Sequence, residues 1–136
     1  MIDEYLAVRV LGGTWPDGLP DEDLALPASR HWRLLMRVHA PGAGQLSQLL
    51  AALPGDDLDV VRYPHPDLLQ ILDPRPLLDS AASIAARYSA GGLLIAETLA
   101  AGLVHGHQLW FGTSRNIGQA LARIADDLGI AVHVSE

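Results

Sequence analysis

The stretch that decides the fold is residues 93–134, which read LLIAETLAAGLVHGHQLWFGTSRNIGQALARIADDLGIAVHV. It contains two segments typical of strands, 108–111 and 130–134, and between them a segment with helical spacing over 115–128. A helix of this length between two strands indicates a crossover connection and therefore a parallel strand pair. The apolar segment before the first strand, 92–105, predicts a buried helix.

The remaining sequence extends the same alternation of helices and strands. The spacing of apolar residues predicts further helices and short strands, and glycine and proline residues mark where these elements end and loops begin. A chain of 136 residues suits one domain, so we expect a single domain over residues 1–136. The pattern predicts a three-layer α/β/α sandwich with a mainly parallel central sheet. The predicted helices cover 4–11, 29–39, 45–53 and 77–88, and the strand-like segments are 23–27, 60–61 and 71–72.

Composition excludes several classes of protein. Hydrophobic residues make up 49% of the chain, which is enough to bury a core, and there is no cysteine for a disulfide scaffold or a thiolate zinc site. No apolar run approaches the ~20 residues of a membrane span. The acidic start, residues 1–4, argues against a secretory signal, so we expect a cytoplasmic protein. A net charge of −7, with nine arginines and no lysine, argues against non-specific nucleic-acid binding.

Acidic residues in two predicted helices are candidates for chemistry. Glu97 is the only acid in an apolar helix, and a buried carboxylate needs a partner. It is either part of a functional site or held by a structural ion pair or hydrogen bond, for instance with an arginine. Asp3 and Glu4 begin a predicted helix, where they either favour the helix dipole or, in the case of Asp3, serve a metal or catalytic role.

Three arginines share one face of the second predicted helix. Arg30, Arg33 and Arg37 are spaced i, i+3 and i+7, and Trp32 stands among them. This stripe is interpreted either as a surface that contacts phosphates or docks a partner, or as a solvated face that balances the acidic surface.

The order of elements and the local sequence resemble PIN domains. These are small α/β nucleases best known as VapC-type toxins of bacterial toxin–antitoxin pairs. The resemblance is clearest over 77–134, which holds an Ala-rich helix, the strand 109–111 and the turn Gly112–Thr113. Residues 2–6 resemble the opening strand of the family, which ends in an aspartate and enters a helix, and residues 24–27 resemble its second strand.

The resemblance implies a cluster of three or four carboxylates at the carboxyl ends of the strands. In the family these hold one or two Mg²⁺ or Mn²⁺ ions, which generate a hydroxide and stabilise charge on the scissile phosphate of RNA. Asp3 matches the first acid. The second acid falls on Arg33 or its neighbour Trp32, and neither is acidic.

The other two family positions also depart from the acidic pattern. The third falls on Ile95, with Glu97 two residues away. The fourth falls on Thr113, with Ser114 and Asn116 nearby. If Arg33 replaces the second acid, we expect its guanidinium to pair with Asp3 or Glu97 in the place of the ion.

Three hypotheses follow. The first is a PIN-like domain of the toxin–antitoxin nuclease lineage with an eroded metal site, which now binds a partner protein or RNA. The second is an active Mg²⁺- or Mn²⁺-dependent endoribonuclease that uses Asp3 and Glu97, helped by Thr113 or Asn116. The third is an unrelated small α/β domain. For the binding module we expect a homodimer through an exposed apolar patch, or a small antitoxin-like or regulatory protein partner, and no membrane association.

Overall fold

The structure is a computed structural model that describes residues 1–89 and 92–136. These residues form a mixed α/β fold of helices and short parallel strands. No helix in the described ranges is long and apolar enough to cross a membrane. The α-helices are α1 (Glu4–Leu11), α2 (Ala28–His39), α3 (Gln45–Ala51), α4 (Asp59–Arg62), α5 (Leu78–Tyr88), α6 (Leu93–Val104) and α7 (Gln119–Asp127), and the strands are β1 (Ala25–Pro27), β2 (Gln70–Leu72), β3 (Gln108–Phe111) and β4 (Ala131–Val134).

The strands form two parallel pairs that are linked through one residue. β1 pairs with β2, and β3 pairs with β4. Ile2 forms an isolated parallel bridge with Trp110, and its backbone N–H donates to the carbonyl of Ala25 at 2.9 Å. The predicted α/β class and the parallel pairing are confirmed. The strands thus form two separate two-stranded sheets, and Ile2 bonds to Ala25 of β1 and forms a bridge with Trp110 of β3. This position of Ile2 places Asp3 beside the carboxyl end of β3.

Local signals predicted most helices closely. α1 has the predicted bounds, because Asp3 caps its first turn and Gly12 follows its last residue. α3, α5 and α6 each lie within one or two residues of the predicted segments. A helix end that has a capping residue or a glycine or proline stop is determined by residues close to it in the sequence. Such ends can therefore be predicted from the local sequence.

Two segments were predicted wrongly. Residues 60–61 were interpreted as strand-like but lie in α4, where the Asp57 side chain accepts the backbone N–H of Asp59 and starts a helical turn. The helix predicted over 115–128 begins only at Gln119. Gly118 has a φ of +71°, a left-handed conformation that interrupts the helix, and a single 3₁₀ turn precedes it.

The hydrophobic core consists of two clusters that the strands share. One cluster is built mainly from α5, α6 and α7, and the other from α1 to α4. β3 contributes to both, since Leu109 and Phe111 belong to the first cluster and Trp110 packs against the second. The start of α6 departs from the prediction of a fully buried helix, because Leu93 is exposed and burial begins only at Ala96.

Gly112 allows the end of β3 to approach the first turn of α1. A Cβ atom at Gly112 would lie 2.7 Å from the Cβ of Tyr5 and 3.1 Å from the backbone nitrogen of Leu6. Real side chains do not approach this closely, so only glycine fits without a shift of α1. The close approach also lets the Gly112 N–H reach Asp3.

We expect Gly112→Ala to lower the free energy of unfolding by about 1–3 kcal/mol, because the added methyl group overpacks the contact with α1. The measurement is urea denaturation followed by circular dichroism. Gly44→Ser is the control, since the space around Gly44 is open and serine is a favoured residue at this N-cap position. Equal stability of the two variants would contradict the close approach at Gly112.

Candidate functional site

Five polar side chains meet near the carboxyl end of β3, and we call this group the Asp3–Glu4 network. Its members are Asp3, Glu4, Arg30, Arg33 and Asn116. The two acids begin α1, the two arginines lie one turn apart on α2, and the asparagine follows β3. Residues three apart share a helix face, so both guanidinium groups can reach α1.

Asp3 is completely buried and uses both of its carboxylate oxygens. Oδ1 accepts the backbone N–H of Leu6 at 2.9 Å and that of Gly112 at 3.0 Å. Oδ2 accepts the side-chain amide of Asn116 at 2.8 Å. The bond from Leu6 caps α1 by satisfying an N–H that the helix leaves free. Asp3 therefore fastens α1 to the turn that follows β3.

Glu4 is also completely buried, and it holds the cations of the network. The Nη1 atom of Arg30 lies 2.9 Å from Glu4 Oε2, and the Nη1 atom of Arg33 lies 2.6 Å from Glu4 Oε1. The Asn116 amide donates to Oε1 at 3.2 Å. These donors replace the water that the carboxylate loses on burial. Glu4 is therefore the centre of an ion-pair network and does more than favour the helix dipole.

Arg30 is a buried member of the arginine stripe, with 1% of its surface exposed. Its Nε donates to Thr98 Oγ1 at 2.8 Å, and its guanidinium carbon lies 5.4 Å from the centre of the Phe111 ring. The stripe predicted on α2 is therefore not one surface. Arg30 faces inward, Arg33 is partly exposed and Arg37 is exposed.

Arg33 and Asn116 close the network on its outer side. The Nη1 atom of Arg33 donates to Asn116 Oδ1 at 3.1 Å while it also pairs with Glu4. The expectation that Arg33 pairs with Asp3 or Glu97 was wrong about the partner. Arg33 is linked to Asp3 only through Asn116, which accepts from Arg33 with its Oδ1 and donates to Asp3 with its Nδ2.

Glu97 lies outside the network and has a separate partner. Its Oε1 accepts the backbone N–H of Ser29 at 3.0 Å and the Ser29 hydroxyl at 3.1 Å. The N-cap residue of α2 is Pro27, which forms no side-chain cap. Glu97 thus supplies from α6 an acceptor for the first turn of α2. Of the alternatives given for Glu97 from the sequence, the structure shows a structural hydrogen bond, and its partner is Ser29 instead of an arginine.

Thr113 has a local role at the end of β3. It is buried, and its Oγ1 accepts the backbone N–H of Arg115 at 3.4 Å. It therefore caps the 3₁₀ turn that carries Asn116 into the network. Thr113 stands where the resemblance places the fourth acid, but its hydroxyl accepts a backbone N–H and contacts no member of the Asp3–Glu4 network among the described hydrogen bonds.

Burial raises the pKa of Asp3 to about 6, and the negative charge of Glu4 acts in the same direction. Hydrogen bonds from Leu6 and Asn116 and the charge of Arg30 oppose this increase. Asp3 therefore changes its charge near neutral pH, unlike an exposed aspartate.

The carboxylates of the network do not fit the needs of a divalent cation. Mg²⁺ and Mn²⁺ need several free anionic oxygens. Each oxygen of Asp3 and Glu4 already accepts at least one N–H, and two guanidinium groups supply the positive charge. Within residues 1–89 and 92–136, no group of three His, Asp or Glu side chains is placed to hold a metal ion.

Sequence reasoning missed Glu4 as the centre of the site. The spacing of Arg30 and Arg33 does predict two guanidinium groups on one helix face. Nothing in the sequence indicates which of 16 acidic residues they meet. That choice depends on how α1 packs against α2.

Comparison with protein-family models, with curated proteins and with solved structures found no match. The chemistry of the site therefore rests on the contacts of its own residues.

We expect the free energy of unfolding to carry a pH-dependent contribution from Asp3. Its folded pKa of about 6 exceeds the ordinary value of 3.8, so between these values the folded chain binds more protons than the unfolded chain. Stability from this group therefore falls as pH rises from 4 to 6, by up to about 3 kcal/mol for a shift of about two units. The measurement is urea denaturation of the wild type and Asp3→Asn from pH 4 to 7.

The hydrogen bond that Asp3→Asn loses changes the free energy of unfolding by the same amount at every pH. It therefore does not change how the difference in stability between the wild type and Asp3→Asn depends on pH. Asp73→Asn is the control, because Arg75 holds the pKa of Asp73 at about 2. The contribution of Asp73 to stability changes only below about pH 4, where it falls as the pH falls. The difference in unfolding free energy between the wild type and Asp73→Asn should therefore be constant from pH 5 to 7. A flat difference for Asp3→Asn over pH 4–6 would show that Asp3 has an ordinary pKa.

We expect Glu4→Gln to destabilise the protein by about 3–5 kcal/mol, because it leaves Arg30 buried without a counter-ion. Asp59→Asn is the matched control. It breaks an exposed ion pair with Arg62 and should change stability by less than about 1 kcal/mol. Thermal and urea unfolding of both variants give the comparison, and similar losses for both would refute the central position of Glu4.

Proposed function

We propose that this chain is a PIN-like domain of the toxin–antitoxin nuclease lineage in which an ion-pair network has replaced the metal site. Its function is to bind a partner protein or RNA without cleaving RNA. The fold proposed with it is the three-layer α/β/α sandwich, with Ile2 as the central strand position of a mainly parallel sheet.

Two features of the backbone support the lineage. The mixed α/β fold has parallel pairing on both sides of Ile2. Asp3, which resembles the first acid of the family, follows Ile2 directly and lies against the turn after β3. In parallel α/β proteins, the carboxyl ends of strands are where ligands bind.

The position of Arg33 is the observation that carries the proposal. The second acid of the family falls on Arg33 or its neighbour Trp32. Arg33 brings a cation to within 2.6 Å of Glu4 and 3.1 Å of Asn116. The side-chain amide of Asn116 in turn donates a hydrogen bond to the Asp3 carboxylate. The guanidinium of Arg33 helps to compensate the buried carboxylates, so their charge is balanced without a divalent ion.

The exposed side chains on the outer side of α2 also support a function in binding a partner. Trp32 and Met36 are exposed, and Arg33 keeps about a third of its side chain accessible. Exposed large apolar side chains in a group indicate an interaction surface.

Calorimetric titration with Mn²⁺ tests the proposal before any substrate is known. We expect no binding by the wild type at millimolar Mn²⁺. We expect Arg33→Glu, which returns an acid to the family position and removes the cation, to gain Mn²⁺ binding and a Mn²⁺-dependent rise in Tm. Addition of Asp3→Asn to Arg33→Glu should abolish the gain.

Arg123→Glu is the control, because it makes the same charge change on an exposed residue of α7. It should gain no Mn²⁺ binding. Mn²⁺ binding by the wild type that disappears in both Asp3→Asn and Glu97→Gln would overturn the proposal. That result would favour the active Mg²⁺- or Mn²⁺-dependent ribonuclease.

A further inference from the structure

Strand β4 is an edge strand, and its outer side has no strand partner among the described residues. On its inner side it pairs with β3, where the N–H of Ala131 donates to the carbonyl of His107 at 2.9 Å. Backbone groups of successive residues in a strand point to opposite sides, so Val132 and Val134 direct their N–H and C=O groups away from β3. We call these outward groups the β4 edge. A row of this kind is a template for a further strand.

The β4 edge lacks the features that normally protect a strand from pairing with another chain. Natural edge strands carry charged residues, proline or a bulge. Residues 130–135 read IAVHVS and contain neither a charged residue nor proline, and the pairing of β4 with β3 runs without a bulge. Strand β2 differs, because Asp73 and Pro74 follow it directly. The β4 edge is therefore open to a further strand.

The side chains beside the β4 edge are aliphatic on one side of the strand and aromatic on the other. Val132 and Val134 share one side, because side chains alternate along a strand. Val134 is 43% exposed, and Val132 is half-buried. His133 lies on the other side and stacks on the ring of Trp110, with 4.2 Å between the ring centroids. A strand added at this edge therefore covers apolar surface as well as backbone groups.

We propose that the β4 edge is the interface of a homodimer, in which the β4 strands of two copies pair antiparallel about a two-fold axis at His133. In this register Val132 of each copy lies opposite Val134 of the other. Both residues direct their backbone groups outward, so each such pair exchanges both of its N–H···O bonds and every group of the β4 edge gains a partner. The pairing uses no residue of the Asp3–Glu4 network, so it is independent of the proposed function.

The β4 edge is self-complementary in this register, as a two-fold interface requires. The cross-strand pairs are Val132 with Val134 on both sides of the axis, and Glu136 lies opposite Ile130. No two like charges face each other across the pair, and β-branched side chains in opposite positions stabilise paired strands. A single short strand buries little surface, so the dimer is weak and reversible.

A strand of another protein fits the β4 edge less well than a second copy does. When a foreign strand is added to a sheet, backbone hydrogen bonds give affinity and pockets for its alternate side chains give specificity. Five clefts in the described part of the chain are all lined by residues other than 131–134. The β4 edge therefore selects its partner by its own self-complementary register.

Disulfide cross-linking tests the register directly, because the chain has no cysteine of its own. Opposite residues of a non-hydrogen-bonded antiparallel pair have Cα atoms about 4.5 Å apart, which suits a disulfide. In a glutathione redox buffer we expect His133→Cys to form a linked dimer at least about tenfold faster than Leu68→Cys, an exposed control before β2. Ala131→Cys should cross-link no faster than this control, because Ala131 lies opposite Ser135. Non-reducing gels measure the rates.

Analytical ultracentrifugation measures the dimer without a cross-link. We expect the wild type to dimerise with a Kd of about 10–500 μM, as a one-strand interface allows. Val134→Lys places a charge on the edge and should weaken the dimer about tenfold or more. Leu68→Lys is the matched control, because Leu68 is 39% exposed, close to the 43% of Val134, and it should leave the Kd unchanged. Circular dichroism of each variant checks that the fold is intact.

Four outcomes contradict the β4 dimer. The first is a wild type that stays monomeric at millimolar concentration. The second is cross-linking of His133→Cys that is no faster than that of Leu68→Cys, or slower than that of Ala131→Cys. The third is an equal effect of Val134→Lys and Leu68→Lys on the Kd. The fourth is a dimer that Trp32→Ala dissociates and Val134→Lys leaves intact, which would place the interface on the outer side of α2.

Discussion

A carboxylate that is fully removed from water must be compensated by cations and hydrogen bonds, and Glu4 imposes this requirement on the structure. Two guanidinium groups of α2 meet it, at 2.9 Å and 2.6 Å. Because α1 carries the acid and α2 carries the arginines, the pair fixes how these helices approach each other. Asp3 and Asn116 extend the same network to the turn after β3.

The network is cooperative because its members cannot be removed singly at low energetic cost. A buried ion pair contributes little net stability while it is complete, but loss of one partner leaves a charge without compensation. Arg30 illustrates this dependence, since its guanidinium is held by Glu4, by the Thr98 hydroxyl and by the face of Phe111. The oxygens that a divalent cation would need are engaged by this structural role.

The two opposite sides of helix α2 have different surroundings. Its inner side buries Arg30, Leu34 and Val38 against the rest of the domain. Its outer side exposes Trp32 and Met36. Arg33 stands between these sides, so the residue that completes the Asp3–Glu4 network is also partly exposed on the outer side of α2.

The sequence by itself determined the features that depend on neighbouring residues. Capping and stop residues set α1, and β-propensity with crossover spacing predicted β3, β4 and their parallel pairing. It also placed Asp3 and Arg33 among the candidates. Only the tertiary structure decided that Glu4 is the partner of Arg33, that Glu97 bonds to Ser29, and that α7 starts after Gly118. These outcomes depend on contacts between distant segments and on a backbone conformation that packing selects, which local spacing does not encode.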